Sequence, residues 1–279
     1  KYAIKKGIKT EKIFFNYLNA KKLLRKYNKA TIITATNVFA HNHKIQDFVK
    51  GIKEILETNG AFIIEFPYID FMLMDNFYDT IYHEHYSYLS ITPLNHLFKK
   101  NELKIFKIDQ LNVGASGPAL RVYITHQKNN KFKDDGNLKK FMSYENKKKF
   151  KNKSTYKKFG KKIIQINRLL KKIIIDLNKK KIKVGAFGAP AKGNTLLNTL
   201  NLNSKQIVSV SENNLEKIGK FTPGSKIKIV SDETFNKSDI KYALLLSWNY
   251  KDFFLKKSDY IKNGGKFIIP FPKPYIRGK

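Results

Sequence analysis

Two of the six histidines fall within three positions, in the stretch Asp79-Thr-Ile-Tyr-His-Glu-His-Tyr-Ser-Tyr-Leu-Ser90. His83 and His85 flank Glu84, and Tyr82, Tyr86 and Tyr88 stand close by. An imidazole titrates near neutral pH, so it can take a proton from a substrate and return it. A neighbouring carboxylate or phenol can fix which ring nitrogen carries the proton. The same residue types could hold a metal, but two histidines and a carboxylate need a further convergent ligand, and none lies at a recognised spacing. No metal site is therefore expected in this chain. A hydrogen-bonded aromatic loop is the third reading. In an extended conformation His83 and His85 would share one face, and Tyr82, Glu84 and Tyr86 the other.

Two further clusters lie where chain direction changes. In Asn37-Val-Phe-Ala-His-Asn-His43, Asn37, His41 and His43 follow an apolar run that reads as a strand, and open parallel sheets bind ligands outside the carboxyl ends of their strands. Asn37 both donates and accepts, which suits a sugar hydroxyl or an amino-acid moiety; a capping asparagine and surface histidines are the plainer alternative. Gly185-Ala-Phe-Gly-Ala-Pro-Ala-Lys-Gly-Asn194 places three glycines and Lys192 between a strand and a helix. Free N–H groups there could meet an anion, or the glycines could serve close packing alone. The spacing is not the G-x-G-x-x-G dinucleotide pattern, and Pro190 removes one N–H from the turn.

The elements that must position these residues follow from periodicity. Ala30 to His41 opens as a buried strand. Ile45, Phe48, Val49, Ile52, Ile55 and Leu56 recur at helical spacing, with Asn59-Gly60 as the stop, and residues 61–68 form another apolar strand. This strand–helix–strand pattern is the unit of a parallel sheet. A short helix over 93–103 and strands over 104–111 and 119–126 complete the first part. Residues 127–156 are polar and lysine-rich, and Phe159 to Leu177 describe one long amphipathic helix. A second α/β unit runs from about Lys181. The expected division is 1–126, a connector and helix over 127–180, and 181–279.

With 279 residues, two domains are expected. The absence of cysteine excludes disulfides, thiolate catalysis and cysteine-held zinc within this chain. A cytoplasmic setting is expected from the absence of cysteine; no apolar run reaches membrane-spanning length, and no signal-peptide pattern is present. The net charge of +33 invites nucleic acid as a partner. Yet only four of the 55 basic residues are arginines, Arg25, Arg121, Arg168 and Arg277, and the lysines scatter over most of the chain. Arginine is the residue suited to bidentate phosphate and guanine contacts, so the charge reads as solvated surface that would still favour an anionic substrate. The chain begins with Lys1 rather than Met, as a processed or partial chain would.

The segments NVFAH, FPY, DTIYHEHYSYLS, LRVYI, GAPAKGNTLLN, TPGSKIKIV, LLLSWN and GGKFIIPFP occur in the order seen in the sugar-nucleotide C-methyltransferases, and the chain resembles that family over nearly its whole length. The resemblance implies an α/β fold: part of a Rossmann-like class I methyltransferase domain, then a second Rossmann-like α/β domain. It implies that the family's N-terminal zinc domain, glycine-rich donor loop and ribose-holding acid lie outside this sequence. It further implies methylation at C-3 of a nucleotide-linked 4-keto-deoxysugar with S-adenosyl-L-methionine as donor. His85 would be the base, with Tyr82 and Glu84 beside it. Asn37, His41, Arg121, Lys192 and Asn194 would contact the sugar nucleotide, and Asn37 and Phe39 the donor. A sugar-nucleotide-binding module without catalysis is the alternative.

Overall fold

The computed structural model describes residues 2–114 and 117–278, so Ala115 and Ser116, between the strands expected over 104–111 and 119–126, lie outside the described residues. The chain divides into two compact units. One is Lys1–Tyr68 with Tyr86–Lys149, and the other is Ile69–His85 with Phe150–Lys279. The polar stretch thus stays with the first unit as far as Lys149, and residues 150–156 belong to the second with the long helix Lys153–Lys179. Residues 69–85, between two strands of the first unit, also belong to the second, a placement that periodicity does not signal.

In the first unit four strands form one sheet: β1 (Ala30–Thr36), β2 (Leu56–Pro67), β3 (Leu103–Gly114) and β4 (Gly117–His126). Their order is β1-β2-β4-β3, with β1 parallel to β2 and the other pairs antiparallel. The expected strand–helix–strand unit is present, with helix Ile45–Ile55 joining the parallel pair. Two expectations are corrected. β1 is an edge strand with Ile32 65% exposed and only Ala35 buried, so it is not the buried strand its composition suggests. The helix ends at Ile55 rather than at Asn59-Gly60, because fully buried Leu56 turns extended and starts β2. Gly60 lies inside that strand, where a Cβ would meet the Thr31 carbonyl oxygen. Alternation along β2 buries Phe62, Ile64 and Phe66, and Phe39, Phe48, Phe62 and Phe98 join in tilted and edge-on contacts with ring centres 5.7–6.4 Å apart.

In the second unit the sheet contains β5 (Val184–Phe187), β6 (Val210–Glu212), β7 (Ile229–Ser231), β8 (Tyr242–Leu245), β9 (Lys266–Ile269) and β10 (Tyr275–Arg277). The order is β10-β9-β8-β5-β6-β7, all parallel except β10. The chain builds outward from β5 through β6 to β7, then returns to place β8 on β5's other side. The order reverses between β5 and β8, and in such sheets the crevice beyond the carboxyl ends of that pair is the usual ligand position. The helix Lys153–Lys179 buries Ile166, Leu170 and Ile174, one stripe at four-residue spacing. No helix among the described residues is long and apolar enough to cross a membrane.

One buried carboxylate organises the first unit. Glu145, 2% exposed on helix Asn137–Lys147, accepts from the Ile91 N–H at 2.6 Å, the Thr92 N–H at 2.8 Å and the Tyr68 hydroxyl at 3.0 Å. It caps helix Ile91–Lys100 from another helix, while Ser90 at the N-cap position makes no side-chain capping bond. Charge-assisted bonds of this kind contribute about 1.5–3 kcal/mol each, and their loss leaves buried donors unpaired. Glu145→Ala is expected to lower the stability of the first unit by about 3 kcal/mol, read as an earlier loss of far-ultraviolet circular dichroism in urea; an unchanged transition would contradict this capping role.

Candidate functional site

Local hydrogen bonding shapes the histidine segment into turns rather than an extended run. The Ile81 N–H bonds to the Tyr78 carbonyl at 2.8 Å, and the His85 N–H to the Tyr82 carbonyl at 3.0 Å. The alternating faces expected for an extended segment are therefore absent. The second turn puts its ends together and its middle outward. The Tyr82 and His85 rings meet at a tilt of 39° with centres 4.4 Å apart, and the Tyr82 hydroxyl lies 3.4 Å from His85 Nε2. His83 and Glu84, the central pair, are exposed. His85 Nδ1 is 2.6 Å from the Thr80 carbonyl oxygen. A carbonyl only accepts, so that distance places the imidazole proton on Nδ1 and leaves the Nε2 lone pair facing the phenol. Burial pushes the Tyr82 hydroxyl above its ordinary value, and the charges of Glu84 and Asp79 add to the effect.

Asp79, just upstream, is fully buried. Its Oδ2 accepts from the indole N–H of Trp248 at 2.6 Å. Trp248 and Asn249 follow β8, and Lys192 stands in the first turn of helix Ala191–Thr199 after β5. Lys192 is 7% exposed; its Nζ donates to Asn249 Oδ1 at 2.8 Å and lies 4.2 Å from the centre of the Trp248 ring. Burial drives the Asp79 carboxyl above the usual carboxylate range, against the opposing charge of Lys192 and the Trp248 N–H. Burial likewise drives the Lys192 ammonium down, opposed by Asp79. The chain's own Asp79 thus meets the residues that follow β5 and β8 at the switch point.

The glycine turn that leads into Lys192 is committed internally. Gly188 has φ +79°, and a Cβ there would strike the Ser247 hydroxyl; at Gly193 a Cβ would meet Leu246 at 3.1 Å. The Gly188 N–H bonds to the Ser211 carbonyl at 2.8 Å, and the Ala189 N–H to Glu212 Oε2 at 2.9 Å. Pro190 has no N–H. Glu212 also accepts from the Asn213 and Asn214 amides, and Lys217 donates to the Ala189 carbonyl at 2.8 Å. Close packing and strand-end capping account for this turn. Asn194 is half-buried, and its carbonyl accepts from the Asn198 side chain.

The remaining candidates lie in the first unit. Asn37 follows β1 with φ +52°, a conformation asparagine tolerates, and its N–H bonds to the Glu65 carbonyl at 2.9 Å. Glu65 also holds Arg121, its register neighbour on β4, through Oε2 at 2.9 Å from Nη2 and 3.3 Å from Nε. Arg121 therefore has its charge answered within the sheet. His41 closes a one-turn 3-10 helix and is half-buried. Phe39 is 0% exposed, its ring in the aromatic core, so of the two residues expected to meet the methyl donor only Asn37 has a side chain near the surface. Among the described residues no cluster of histidine, aspartate and glutamate could hold a metal.

Sequence reasoning missed Asp79, Trp248, Asn249, Glu212 and Glu145. One signal was available: the single tryptophan closes an apolar strand, and a buried indole N–H needs an acceptor.

Mixed α/β units with a strand-order reversal define a broad class. Within it, residues 114–272 match the C-methyltransferase C-terminal domain, more than half of the chain, and the chain belongs to that family. It is 27% identical to the C-methyltransferase NovU of Streptomyces niveus, over 97% of this chain and 64% of NovU, so it spans somewhat less than two thirds of that relative. Solved structures align weakly. The crystal structure of M1.HpyAVI has 10% identity and a TM-score of 0.28 over 42% of this chain and 55% of its own. The mitomycin 7-O-methyltransferase MmcR has 12% identity and a TM-score of 0.28 over 39% of each chain. At those scores neither carries an argument.

Removing one member of a buried polar cluster costs about 1–3 kcal/mol, more where a charge is involved, because the groups around it are left unsatisfied. Asp79→Asn and Lys192→Met are each expected to cost the second unit about 3 kcal/mol. The double variant should cost less than their sum by about 1–3 kcal/mol. Urea unfolding followed by the fluorescence of Trp248 reads this directly, and strict additivity would contradict electrostatic coupling.

Proposed function

We propose that the chain acts in an S-adenosyl-L-methionine-dependent C-methyltransferase whose acceptor is C-3 of a nucleotide-linked 4-keto-deoxysugar. The observation that carries this reading is the His85 ring: half-buried, with Nδ1 on the Thr80 carbonyl and Nε2 facing the Tyr82 hydroxyl. Membership of the C-methyltransferase family and the similarity to NovU support the reaction class. The C-3 position, the keto-sugar acceptor and the part played by each residue belong to the proposal.

The chemistry follows from the ring's protonation. A carbonyl at C-4 acidifies the hydrogen on C-3. The Nε2 lone pair of His85 takes that proton, the C–H electron pair moves into the enolate, and the negative charge rests on the C-4 oxygen. The Tyr82 hydroxyl, 3.4 Å from the ring nitrogen, is a donor suited to that oxygen. S-Adenosyl-L-methionine, when bound, supplies an electrophilic methyl group. Asn37 and His41 are the first unit's candidates for contact with the sugar or the donor. Arg121 and Lys192 have their charges answered inside their own units, so the proposal rests on His85 rather than on diphosphate contacts. Glu84, exposed at the tip of the turn, acts on Tyr82 through its charge.

Proton removal can be read without methyl transfer. In deuterium oxide with a nucleoside-diphosphate 4-keto-6-deoxysugar, the protein is expected to place deuterium at C-3, seen by mass spectrometry. His85→Ala should slow that exchange by about 10²–10⁴-fold, the usual contribution of a general base. Exchange at the unsubstituted rate in His85→Ala would exclude His85 as the base. Sugar-nucleotide binding with no exchange in the unsubstituted protein would instead favour a binding module.

A further inference from the structure

The catalytic reading gives His85 a task but does not say what keeps its ring in the required state. His85 sits in a turn, and the atom that orients its imidazole is a backbone carbonyl, that of Thr80. A carbonyl orients a ring only as firmly as its own peptide is held. The Thr80 carbonyl belongs to a residue 5% exposed, directly after Asp79, which is 0% exposed. The Asp79 side chain is tied to Trp248, and Trp248 is wedged by Phe77 at 5.0 Å and Phe271 at 5.3 Å between ring centres. Tyr78, on Asp79's other side, donates its hydroxyl to Asn167 on the long helix at 2.9 Å and meets the Phe271 ring at 5.8 Å. Four consecutive residues, Phe77 to Thr80, are therefore fixed within the second unit by ring contacts, a hydrogen bond, a buried carboxylate and burial in turn.

We propose that Asp79, held by Trp248 at the reversal point between β5 and β8, is a positioning residue that sets the tautomer of His85 through the Thr80 carbonyl. The second unit's sheet would then act on the chemistry through a segment of seventeen residues that the chain inserts between two strands of the first unit. The route runs from Trp248 Nε1 to Asp79 Oδ2 at 2.6 Å, along the backbone from Asp79 through Thr80, and from the Thr80 oxygen to His85 Nδ1 at 2.6 Å. In a free imidazole the two neutral tautomers interconvert through solvent, and the hydrogen bond made by one nitrogen decides which is populated. With Nδ1 protonated, Nε2 is the base. If the Thr80 carbonyl swings away, the proton redistributes and the fraction of ring with a lone pair on Nε2 falls.

The proposal deepens the reading of His85 as base and takes its catalytic meaning from that reading. Its test reads the ring itself, so the two can fail separately. The full 279-residue chain is labelled with ring-¹⁵N histidine, and His85 is assigned by loss of its signal in His85→Gln. Above the pH at which imidazolium persists, the unsubstituted protein should show Nδ1 protonated and Nε2 as the lone-pair nitrogen. Trp248→Phe keeps an aromatic ring at the position and removes the indole N–H together with part of the ring; Asp79→Asn replaces the carboxyl group with an amide. Both should shift the His85 signals towards the mixed-tautomer values of an exposed histidine. Phe235→Leu, a core change elsewhere in the same unit, should leave them in place. If Asp79→Asn does not fold, Trp248→Phe decides alone. Unshifted His85 signals in the folded variants would overturn the proposal, as would an equal shift in Phe235→Leu, which would mark general loosening of the unit. A correct tautomer response with no C-3 exchange would leave the positioning intact and remove the catalytic reading.

Discussion

A carboxylate with no solvent exposure is the constraint around which the second unit is arranged. Transfer of an isolated charge into a protein interior costs several kcal/mol, so an aspartate in that position must be met by donors and opposing charge. Asp79 meets the indole N–H of Trp248 and the field of Lys192. Lys192, itself nearly buried, is held by Asn249 and the Trp248 ring. Those partners arrive from the carboxyl ends of β5 and β8, the strand pair where the order reverses. The crevice such a reversal creates receives a buried carboxyl side chain of the same polypeptide. The glycine turn beside it is correspondingly closed, its amides taken by Ser211 and Glu212.

This arrangement bears on how the histidine segment gains its form. A turn holding two histidines, a glutamate and a tyrosine has little apolar content of its own and would be mobile if left to local forces. Its upstream residues, Phe77 to Thr80, supply the fixed end, and the Thr80 carbonyl passes that fixity to the imidazole. The first unit solves a similar problem with Glu145, a buried carboxylate that satisfies the open amides of a neighbouring helix. In both units a buried acid holds polar groups that the local chain leaves unsatisfied.

The parts of the fold legible in the sequence are those set by periodicity. The joining helix after β1, the core faces of β2 and the long helix before β5 each follow from apolar spacing, because burial of one face suffices to define them. The turn chemistry was less legible. Asn59-Gly60 looks like a helix stop, yet burial of Leu56 ends the helix earlier and draws both residues into a strand. Tyr82 to His85 alternates like a strand, but a four-residue turn pairs its first and last members. Phe39 sits in a motif associated with donor binding and is used by the core. Asp79 and Glu145 were invisible for a common reason. Their partners lie 169 and 54 residues away in sequence, a separation that no local pattern encodes.

The central structural claim is that residues 69–85 are part of the second unit rather than a loop of the first. Amide hydrogen exchange of the intact chain in increasing, sub-denaturing urea measures it by peptide. If the claim holds, residues 69–85 lose protection in step with β5 and β8, at a urea concentration distinct from that of β2 and β4. Loss of protection in step with β2 and β4 instead would separate the histidine segment from its anchor and contradict the account.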